Sequence, residues 1–366
     1  MNRIKQPVRK VVVGMSGGVD SAAAAAILLE KGFEVIGATL RLRPGSNGNG
    51  GYNRNEEQEI EYARQTAREL GIKHHLVDTR QLFREKIIEY FCEEYGRGRT
   101  PNPCIPCNRY IKFKVLLEKG KQWGADLAGT GHYARIDYDK NCGRYIIRKG
   151  VSAGNDQAYM LCALDQQQLA RIIFPLGEMS KQQVRDYAAH KRLTACSRKD
   201  SQEICFIENK NHHSFLRKNI TGRIKPGPII TVSGDSIGRH KGLPFYTIGQ
   251  REGLGIGFKH PLYVIRIDTA SNTLVVGARE ETLSSGCTVE QINLILYEKL
   301  GDTVKAQVKI RYQHQPIDAR VIPEGRDRCR ILFDRPQMAV TPGQTAVFYD
   351  GDRVIGGGTI TESINN

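Results

Sequence analysis

The stretch VVVGMSGGVDSAAAAAILLEKG, residues 11–32, decides the fold class of this 366-residue chain. The first residues of this stretch belong to an apolar run, 8–14, that predicts a strand. The alanine-rich part, 19–31, predicts a helix that ends at Gly32. Further strands are predicted at 33–42, 73–77 and 125–129, and helical segments at 56–70, 80–95 and 108–123. Strands that alternate with helices predict a doubly wound parallel sheet with helices on both faces.

The loop between the first strand and the first helix has the composition of a phosphate site. Gly17 and Gly18 let the backbone approach phosphate oxygens, and Ser16 and Ser21 add hydroxyl donors at a helix N-terminus. Asp20 would repel a bare phosphate, so we expect it to act through Mg²⁺. The eight loop residues are Gly14, Met15, Ser16, Gly17, Gly18, Val19, Asp20 and Ser21.

Two rival phosphate motifs do not match this loop. A P-loop NTPase needs a lysine followed by serine or threonine after its second glycine, and none is present. The glycine spacing also differs from Gly-x-Gly-x-x-Gly, although Arg41 and Arg43 near the end of the second strand keep an NADP-dependent reductase as an alternative. The Ser-Gly-Gly-x-Asp-Ser loop instead resembles the PP-loop of enzymes that split ATP into AMP and pyrophosphate.

The pattern changes after about residue 210 to short β-like runs separated by turn signals. Segments 304–312 and 345–349 are typical of strands in a small antiparallel barrel. We therefore predict a catalytic domain over 1–215 with insertions, a small, mostly β central domain over 216–282, and a C-terminal β-barrel over 283–366.

The charge balance favours a polyanionic partner. Lysine and arginine number 54 against 39 aspartate and glutamate residues, a net charge of +15. Phosphate contacts made by such a surplus release condensed counterions, although a basic protein without such a partner remains an alternative. The chain has neither an apolar run of the roughly 18 residues that a membrane span requires nor a signal-peptide pattern, so we expect a cytoplasmic protein with no membrane partner.

Three of the nine cysteines have distinctive surroundings. Cys104 and Cys107 form a Cys-x-x-Cys pair in a basic loop that runs into a predicted helix, and Cys205 follows about a hundred residues later. A thiol at a helix N-terminus near Arg97, Arg99 and Arg109 is expected to have a lowered pKa and to be nucleophilic. By itself the pair is compatible with half a zinc site, a redox pair, or two ligands of an iron–sulfur cluster.

Taken together, the motifs resemble the tRNA-specific 2-thiouridylase family over nearly the whole chain. The matching segments, in order, are the phosphate loop, 100–108, 130–133, 155–157, 200–206, 249–255, 311–312 and 341–344. The resemblance implies that ATP adenylates the C2 oxygen of the wobble uracil in tRNA. Sulfur then replaces the AMP group through cysteine chemistry, so the expected activity is that of a tRNA-uridine 2-sulfurtransferase.

The resemblance also assigns residue roles. It implies ATP binding by residues 14–21 together with Leu40 and Gly131, a persulfide on Cys205, and a nucleophilic partner thiol on Cys107 that forms a disulfide with Cys205. Positions implied to lie against the target base are Asn102, Pro103 and Cys104. Residues implied to contact tRNA are His132, Asn155, Asp156, Gln157, Arg311, Tyr312 and Gln344.

One departure from the family pattern leaves the sulfur route open. Cys104 stands where family members usually have an acidic residue, so Cys104, Cys107 and Cys205 could instead ligate a [4Fe–4S] cluster that carries sulfide. The sulfur donor would be a cysteine desulfurase, a sulfur-relay protein or free sulfide. The alternatives in function are another PP-loop adenylating enzyme, such as a synthetase or amidotransferase, or a non-catalytic RNA-binding protein.

Overall fold

The computed structural model describes residues 9–43, 54–197, 204–207, 211–220, 222 and 224–365. The α-helices are α1 Val19–Glu30, α2 Arg54–Glu69, α3 Arg80–Phe83, α4 Glu89–Gly96, α5 Cys104–Pro106, α6 Lys114–Gln122, α7 Gln166–Leu169, α8 Lys181–His190 and α9 His212–Asn219. Two π-helical turns, Arg84–Ile88 and Cys107–Phe113, join α3 to α4 and α5 to α6.

The strands follow the alternation that the sequence predicts in the first half and become consecutive in the second. They are β1 Lys10–Gly14, β2 Glu34–Arg41, β3 Lys73–Asp78, β4 Leu127–Gly129, β5 Ala134–Asp139, β6 Arg144–Lys149, β7 Ile172–Ile173, β8 Gly227–Thr231, β9 Ser236–His240, β10 Tyr263–Asp268, β11 Thr273–Gly277, β12 Leu283–Leu294, β13 Val304–Lys309, β14 Ile317–Pro323, β15 Arg328–Met338, β16 Thr345–Asp350 and β17 Arg353–Ile364.

The chain forms two compact units, each described separately below. The first unit comprises Met1–Lys86, Cys104–Phe206 and Asp352–Val354, and the second comprises Ile87–Pro103, Ile207–Gly351 and Ile355–Asn366. Within the described ranges, no helix has the length and apolarity needed to span a lipid bilayer.

The first unit contains the predicted parallel sheet. Its strand order is β3-β2-β1-β4-β7, and every neighbouring pair is parallel. Val11, Val12 and Val13 of β1 are fully buried, which is why the strand is a continuous apolar run rather than an alternating one. The doubly wound α/β fold is therefore confirmed.

Helix α1 is buried on two sides. Ala25 and Leu28 pack against Val11 and Val13 of the sheet. On its other side, residues of α1 join clusters with α8 and the segment that follows it, and Ala188 is a member of one of them. Alanine dominates α1 because its small side chain allows backbones to approach closely on both sides at little entropic cost.

The second unit contains the two β-structures predicted after residue 210. The central sheet has the order β10-β11-β8-β9, in which β8 and β11 are parallel. Strands β12 to β17 form the C-terminal antiparallel barrel, closed by pairing of β12 with β17. The predicted strand 304–312 is shorter than expected: β13 ends at Lys309, and the chain turns at Arg311, whose side chain bonds to Thr341.

The packing of α1 leads to a stability prediction. Leu28→Ala removes a fully buried side chain between helix and sheet, so we expect the free energy of unfolding to fall by about 2–5 kcal/mol. The neighbouring Leu29, which is only partly buried, serves as the matched control. Urea denaturation measures the free energy of unfolding of both variants. Equal decreases for Leu28→Ala and Leu29→Ala would contradict this account of the core.

Candidate active site

The phosphate loop joins β1 to α1 and presents backbone donors at the start of the helix. Gly17 has a φ of 76°, a left-handed conformation that glycine adopts without strain. The Ser21 hydroxyl donates to the Gly18 carbonyl at 2.9 Å and accepts from the Ser16 amide at 3.2 Å. Gly18 is the N-cap of α1 and has no side chain to cover the first amides, which leaves room for an anion.

The neighbouring strands fix the position of this loop. The Thr39 hydroxyl of β2 donates to the Met15 carbonyl at 2.7 Å, and the Met15 amide donates to Ala38 at 2.8 Å. Leu40 follows in β2 and is partly buried. Gly131 lies directly against the loop, because a Cβ there would stand 2.6 Å from the carbonyl carbon of Asp20.

Asp20 forms an ion pair in this structure. The Lys181 ammonium lies 2.8 Å from each of its carboxylate oxygens, and the Tyr133 hydroxyl donates to Oδ1 at 2.7 Å. Asp20 supplies carboxylate oxygens from the same loop as the Ser16 and Ser21 hydroxyls, and oxygen donors are what Mg²⁺ prefers. Mg²⁺ bound to phosphates needs only one or two carboxylates. The residues therefore fit Mg²⁺, provided that Lys181 moves away.

Cys107 is buried, and its expected activation by a helix N-terminus is wrong. Helical structure begins at Cys104, so Cys107 starts a π-helical turn inside a longer helical segment. Burial raises the pKa of the Cys107 thiol to about 12, and Lys112 opposes this shift. Lys112 follows Cys107 by five residues, the spacing of a π-helical hydrogen bond. The thiol is therefore protonated at neutral pH in the free protein.

Cys205 belongs to the same electrostatic environment. Its segment is anchored by Phe206, whose ring lies 5.6 Å from that of Phe83. The residue is exposed as a whole, yet burial of its sulfur, followed by the neighbouring Cys104, raises its pKa to about 11, while Lys112 lowers it. Residues 200–203 of the same motif lie outside the described part of the chain.

The three thiols act on one another without being bonded. Cys205 and Cys104 both contribute to raising the pKa of Cys107, and burial raises the pKa of Cys104 as well. None of the nine cysteines, all of which the structure describes, forms a disulfide. The coupling places Cys104, Cys107 and Cys205 in one electrostatic environment. Three thiolates are also the donor set of an iron–sulfur cluster with one open iron, so the chemistry of these residues fits either sulfur route.

His132 is held as a neutral ring. Its Nδ1 lies 2.7 Å from the Thr130 hydroxyl, and its ring contacts those of Phe113 and Phe174 at 5.7 and 5.8 Å. Burial, with Lys112 as the second cause, puts the pKa of His132 well below its usual value. An uncharged imidazole suits hydrogen bonding and stacking better than phosphate binding.

Segment 155–157 lies beside His132 through its bonds to Tyr133. The Gln157 side-chain oxygen accepts from the Tyr133 amide at 3.1 Å, and the Gln157 amide donates to the Tyr133 carbonyl at 2.9 Å. Asp156 shapes the turn by accepting from the amides of Gly150 and Ala158, and Asn155 accepts from Ser152. Segment 155–157, which was expected to bind tRNA, therefore lies next to His132, another expected tRNA contact.

The remaining expected RNA contacts lie in the second unit and stabilise it internally. The Arg311 guanidinium donates to the Ala339 carbonyl and to the Thr341 hydroxyl, the latter at 2.7 Å. The Gln344 amide donates to the Thr100 carbonyl at 2.7 Å, and the Lys309 ammonium lies 5.6 Å from the Tyr312 ring centre. Of the expected base contacts in this unit, Asn102 is partly buried and Pro103 is buried.

Three residues at the site were not identified from the sequence. Lys181 and Tyr133 contact Asp20, and Lys112 acts on all three thiols and on His132. The five-residue spacing between Cys107 and Lys112 was the sequence signal that could have identified Lys112. Nothing local marks Lys181, which lies 161 residues from Asp20 in the chain.

Comparison with protein families assigns all three regions of the chain. The tRNA methyl transferase HUP domain matches residues 9–209, the tRNA methyl transferase PRC-barrel domain matches 213–278, and the aminomethyltransferase β-barrel domain matches 284–360. The family models therefore describe an α/β domain followed by two β-domains, the architecture seen in the structure.

Curated relatives match over nearly the full length. The tRNA-specific 2-thiouridylase MnmA of Acetivibrio thermocellus is 44% identical over 363 residues, which cover 96% of this chain and 99% of the relative. That of Pelotomaculum thermopropionicum is 45% identical over 354 residues, 96% and 97% of the two chains. Similarity to a solved structure, the NMN synthetase from Francisella tularensis, is low. The TM-score is 0.32 and the identity 15%, over 53% of this chain and 67% of that one.

The contact between Gly131 and the loop predicts a loss of nucleotide binding. Gly131→Ala places a methyl group against the Asp20 backbone, so we expect ATP affinity to fall by about tenfold or more as the loop shifts. Gly154→Ala in the same unit is the control, because a Cβ there meets nothing within 4 Å. Calorimetric titration with ATP measures both, and unchanged affinity in Gly131→Ala would refute the placement.

The raised pKa of Cys107 predicts slow alkylation of the free protein. Because the thiolate forms only as the pH approaches about 12, iodoacetamide should modify Cys107 at least about tenfold more slowly than exposed Cys142 at neutral pH. Its rate should continue to rise with pH into the strongly alkaline range. Peptide mass spectrometry measures the modification, and a rate for Cys107 that levels off near neutral pH would contradict the prediction.

Proposed function

Because the chain belongs to the tRNA-specific 2-thiouridylase family, whose members are tRNA sulfurtransferases, we propose the following reaction. ATP adenylates the C2 oxygen of the wobble uracil in tRNA and releases pyrophosphate. Sulfur delivered through Cys205 and Cys107 then displaces AMP and leaves 2-thiouridine. The observation that carries this proposal is the placement of a phosphate loop and a cluster of thiols in one unit of the chain.

Adenylation is the task of the phosphate loop. The oxygen on C2 of uracil is a poor leaving group, and transfer of AMP to it converts it into a good one. The amides and hydroxyls of residues 14–21 would bind the departing pyrophosphate, with Mg²⁺ neutralising its charge. Leu40 in β2, next to Thr39 that holds the loop, and Gly131 against Asp20 would border the nucleotide.

Sulfur transfer is the task of the two thiols. The terminal sulfur of a Cys205 persulfide attacks C2, the bond from C2 to the AMP oxygen breaks, and AMP leaves. The Cys107 thiolate then attacks the Cys205 sulfur, forms a disulfide with it and releases the sulfur on C2 as the thiocarbonyl. An external thiol reductant must afterwards restore the two cysteines.

The protonation of the thiols indicates when this chemistry starts. Burial raises the pKa of Cys107 to about 12 and that of Cys205 to about 11, so neither is a ready nucleophile in the free protein. Lys112 favours the thiolate form of both, and Arg43 also favours that of Cys205. We infer that binding of tRNA and adenylation, which change the surroundings of the sulfurs, precede formation of the Cys107 thiolate.

The steps above take the persulfide route. In the alternative route Cys104, Cys107 and Cys205 would be the three thiolate ligands of a [4Fe–4S] cluster that supplies sulfide, and the variants below distinguish the two. In the persulfide route Cys104, with Asn102 and Pro103 before it in the chain, is proposed to line the pocket for the uracil. A cysteine desulfurase or a sulfur-relay protein would load Cys205 by transferring sulfur from its own persulfide. Free sulfide would instead attack the Cys107–Cys205 disulfide, which leaves a Cys205 persulfide and a Cys107 thiol.

The tRNA is proposed to contact both units. Its backbone would be neutralised by the surplus of 15 positive charges. In the first unit, His132 provides a neutral ring, and segment 155–157 beside Tyr133 provides side-chain amides. In the second, Arg311, Tyr312 and Gln344 are proposed to contact the RNA while they hold the loops on which they lie.

The reaction itself is tested by nucleoside analysis. Unmodified tRNA is incubated with the protein, ATP, Mg²⁺, a cysteine desulfurase with cysteine as persulfide source, and a thiol reductant, then digested and analysed by mass spectrometry. We expect 2-thiouridine together with AMP and pyrophosphate, each dependent on tRNA. AMP formed without tRNA, or tRNA that gains no sulfur, would show that the chain does not catalyse this reaction.

Cysteine variants test the sulfur route. Cys107→Ser and Cys205→Ser should lose at least about a thousandfold in thiolation, because each removes a bond that the reaction makes. Cys104→Ala should retain most of its activity and bind no iron that activity requires. If Cys104→Ala loses iron and activity together after anaerobic purification, the cluster route replaces the persulfide route.

A further inference from the structure

We propose that Lys181 exchanges partners at the phosphate loop. Lys181 pairs with Asp20 in this structure, and when Mg²⁺ binds Asp20 together with the nucleotide, the displaced ammonium binds the pyrophosphate portion of ATP. Lys181 is thereby a phosphate-binding residue for the reaction and a competitor of Mg²⁺ for Asp20. This inference rests on the proposed use of the loop for ATP.

Both carboxylate oxygens of Asp20 accept hydrogen bonds from Lys181. Lys181 lies 2.8 Å from Oδ1 and 2.8 Å from Oδ2, and Tyr133 donates a third hydrogen bond to Oδ1 at 2.7 Å. The Lys181 and Asp20 side chains are 17% and 30% exposed, so water screens this pair less than it would a surface pair. A divalent cation that binds an oxygen of Asp20 is repelled by the ammonium group beside it, so cation and Lys181 compete for the carboxylate.

The location of Lys181 in α8 is unfavourable unless an anion is near. Lys181 is the first residue after the N-cap Ser180, whose hydroxyl accepts from the Gln183 amide in a capping box. The positive end of the helix dipole disfavours a lysine at this position. Asp20 offsets this repulsion in the free protein, and once Asp20 is occupied by a metal ion, a phosphate oxygen is the anion that can replace it.

Packing keeps Lys181 close to the loop after the exchange. Val184, one turn after Lys181, joins Ala23 and Ala24 of α1 in a buried cluster that also contains Tyr133. The far ends of the same two helices carry a second ion pair, between Lys191 and Glu30. Because both helices are anchored, only the flexible lysine side chain needs to move.

Lys191 provides a matched control. It follows the same helix, pairs with an acid of the same partner helix α1, and is separated from the phosphate loop by the length of α1. Lys191→Met therefore removes the same kind of ion pair between the same helices. Any effect of Lys181→Met that Lys191→Met lacks reports on the loop and not on the helix contact.

The test measures binding of inorganic pyrophosphate to the full chain, without tRNA, as the Mg²⁺ concentration is varied. In Lys181→Met we expect the half-saturating Mg²⁺ concentration to fall by about threefold or more, because the ammonium group that competes with Mg²⁺ for Asp20 is removed. We expect the affinity for Mg²⁺-pyrophosphate to fall by about tenfold, because the same ammonium group no longer binds a phosphate oxygen. Lys181→Arg should retain the affinity for pyrophosphate, and Lys191→Met should match the wild type.

Asp20→Asn gives a second readout, in the opposite direction. Without its carboxylate partner Lys181 is released, so binding of pyrophosphate in the absence of Mg²⁺ should be tighter than in the wild type. Unchanged Mg²⁺ dependence in Lys181→Met, or weaker Mg²⁺-free binding in Asp20→Asn, would overturn the exchange. Wild-type protein that binds neither pyrophosphate nor ATP with Mg²⁺ would instead refute the proposed function of the loop.

Discussion

The double burial of α1 is the constraint on which the first unit depends. The helix packs against Val11 and Val13 on one side and contributes to clusters with α8 on the other. A Cβ on Gly129 of β4 would stand 2.9 Å from Leu28, which shows how closely helix and sheet approach. Because both faces are fixed, the loop at the start of α1 is held in one conformation.

The same packing brings distant groups to that loop. Tyr133 belongs to a cluster with α1 and α8, so its hydroxyl reaches Asp20. Segment 155–157 is bonded in turn to Tyr133, next to His132. The residues proposed for phosphate and for RNA in the first unit are therefore connected by a short series of hydrogen bonds.

The thiol site illustrates a balance between burial and charge. Desolvation disfavours the thiolate and is the largest effect on Cys104, Cys107 and Cys205, and Lys112 opposes it at each. A protonated sulfur is a weak nucleophile, so the same burial that brings the three thiols together also lowers their reactivity.

The sequence by itself determined the fold class and the phosphate loop. Both depend on local patterns: the apolar run 11–13 favours a strand, and the alanines of α1 favour a helix. The glycines between them permit the left-handed conformation that the loop requires at Gly17. The C-terminal barrel followed from repeated turn signals, and the structure confirms it. The domain limits at 215 and 283 and the individual substrate contacts remain predictions, because no local pattern reports them.

Tertiary structure alone decided the electrostatics of the site. The pKa of Cys107 was predicted to be lowered and is raised, because desolvation depends on which side chains cover the sulfur and not on its neighbours in the chain. The partner of Asp20 lies 161 residues away, and that of Gln344 lies 244 residues away. Such pairs form only when packing brings separate elements together, so their charges and hydrogen bonds are properties of the folded chain.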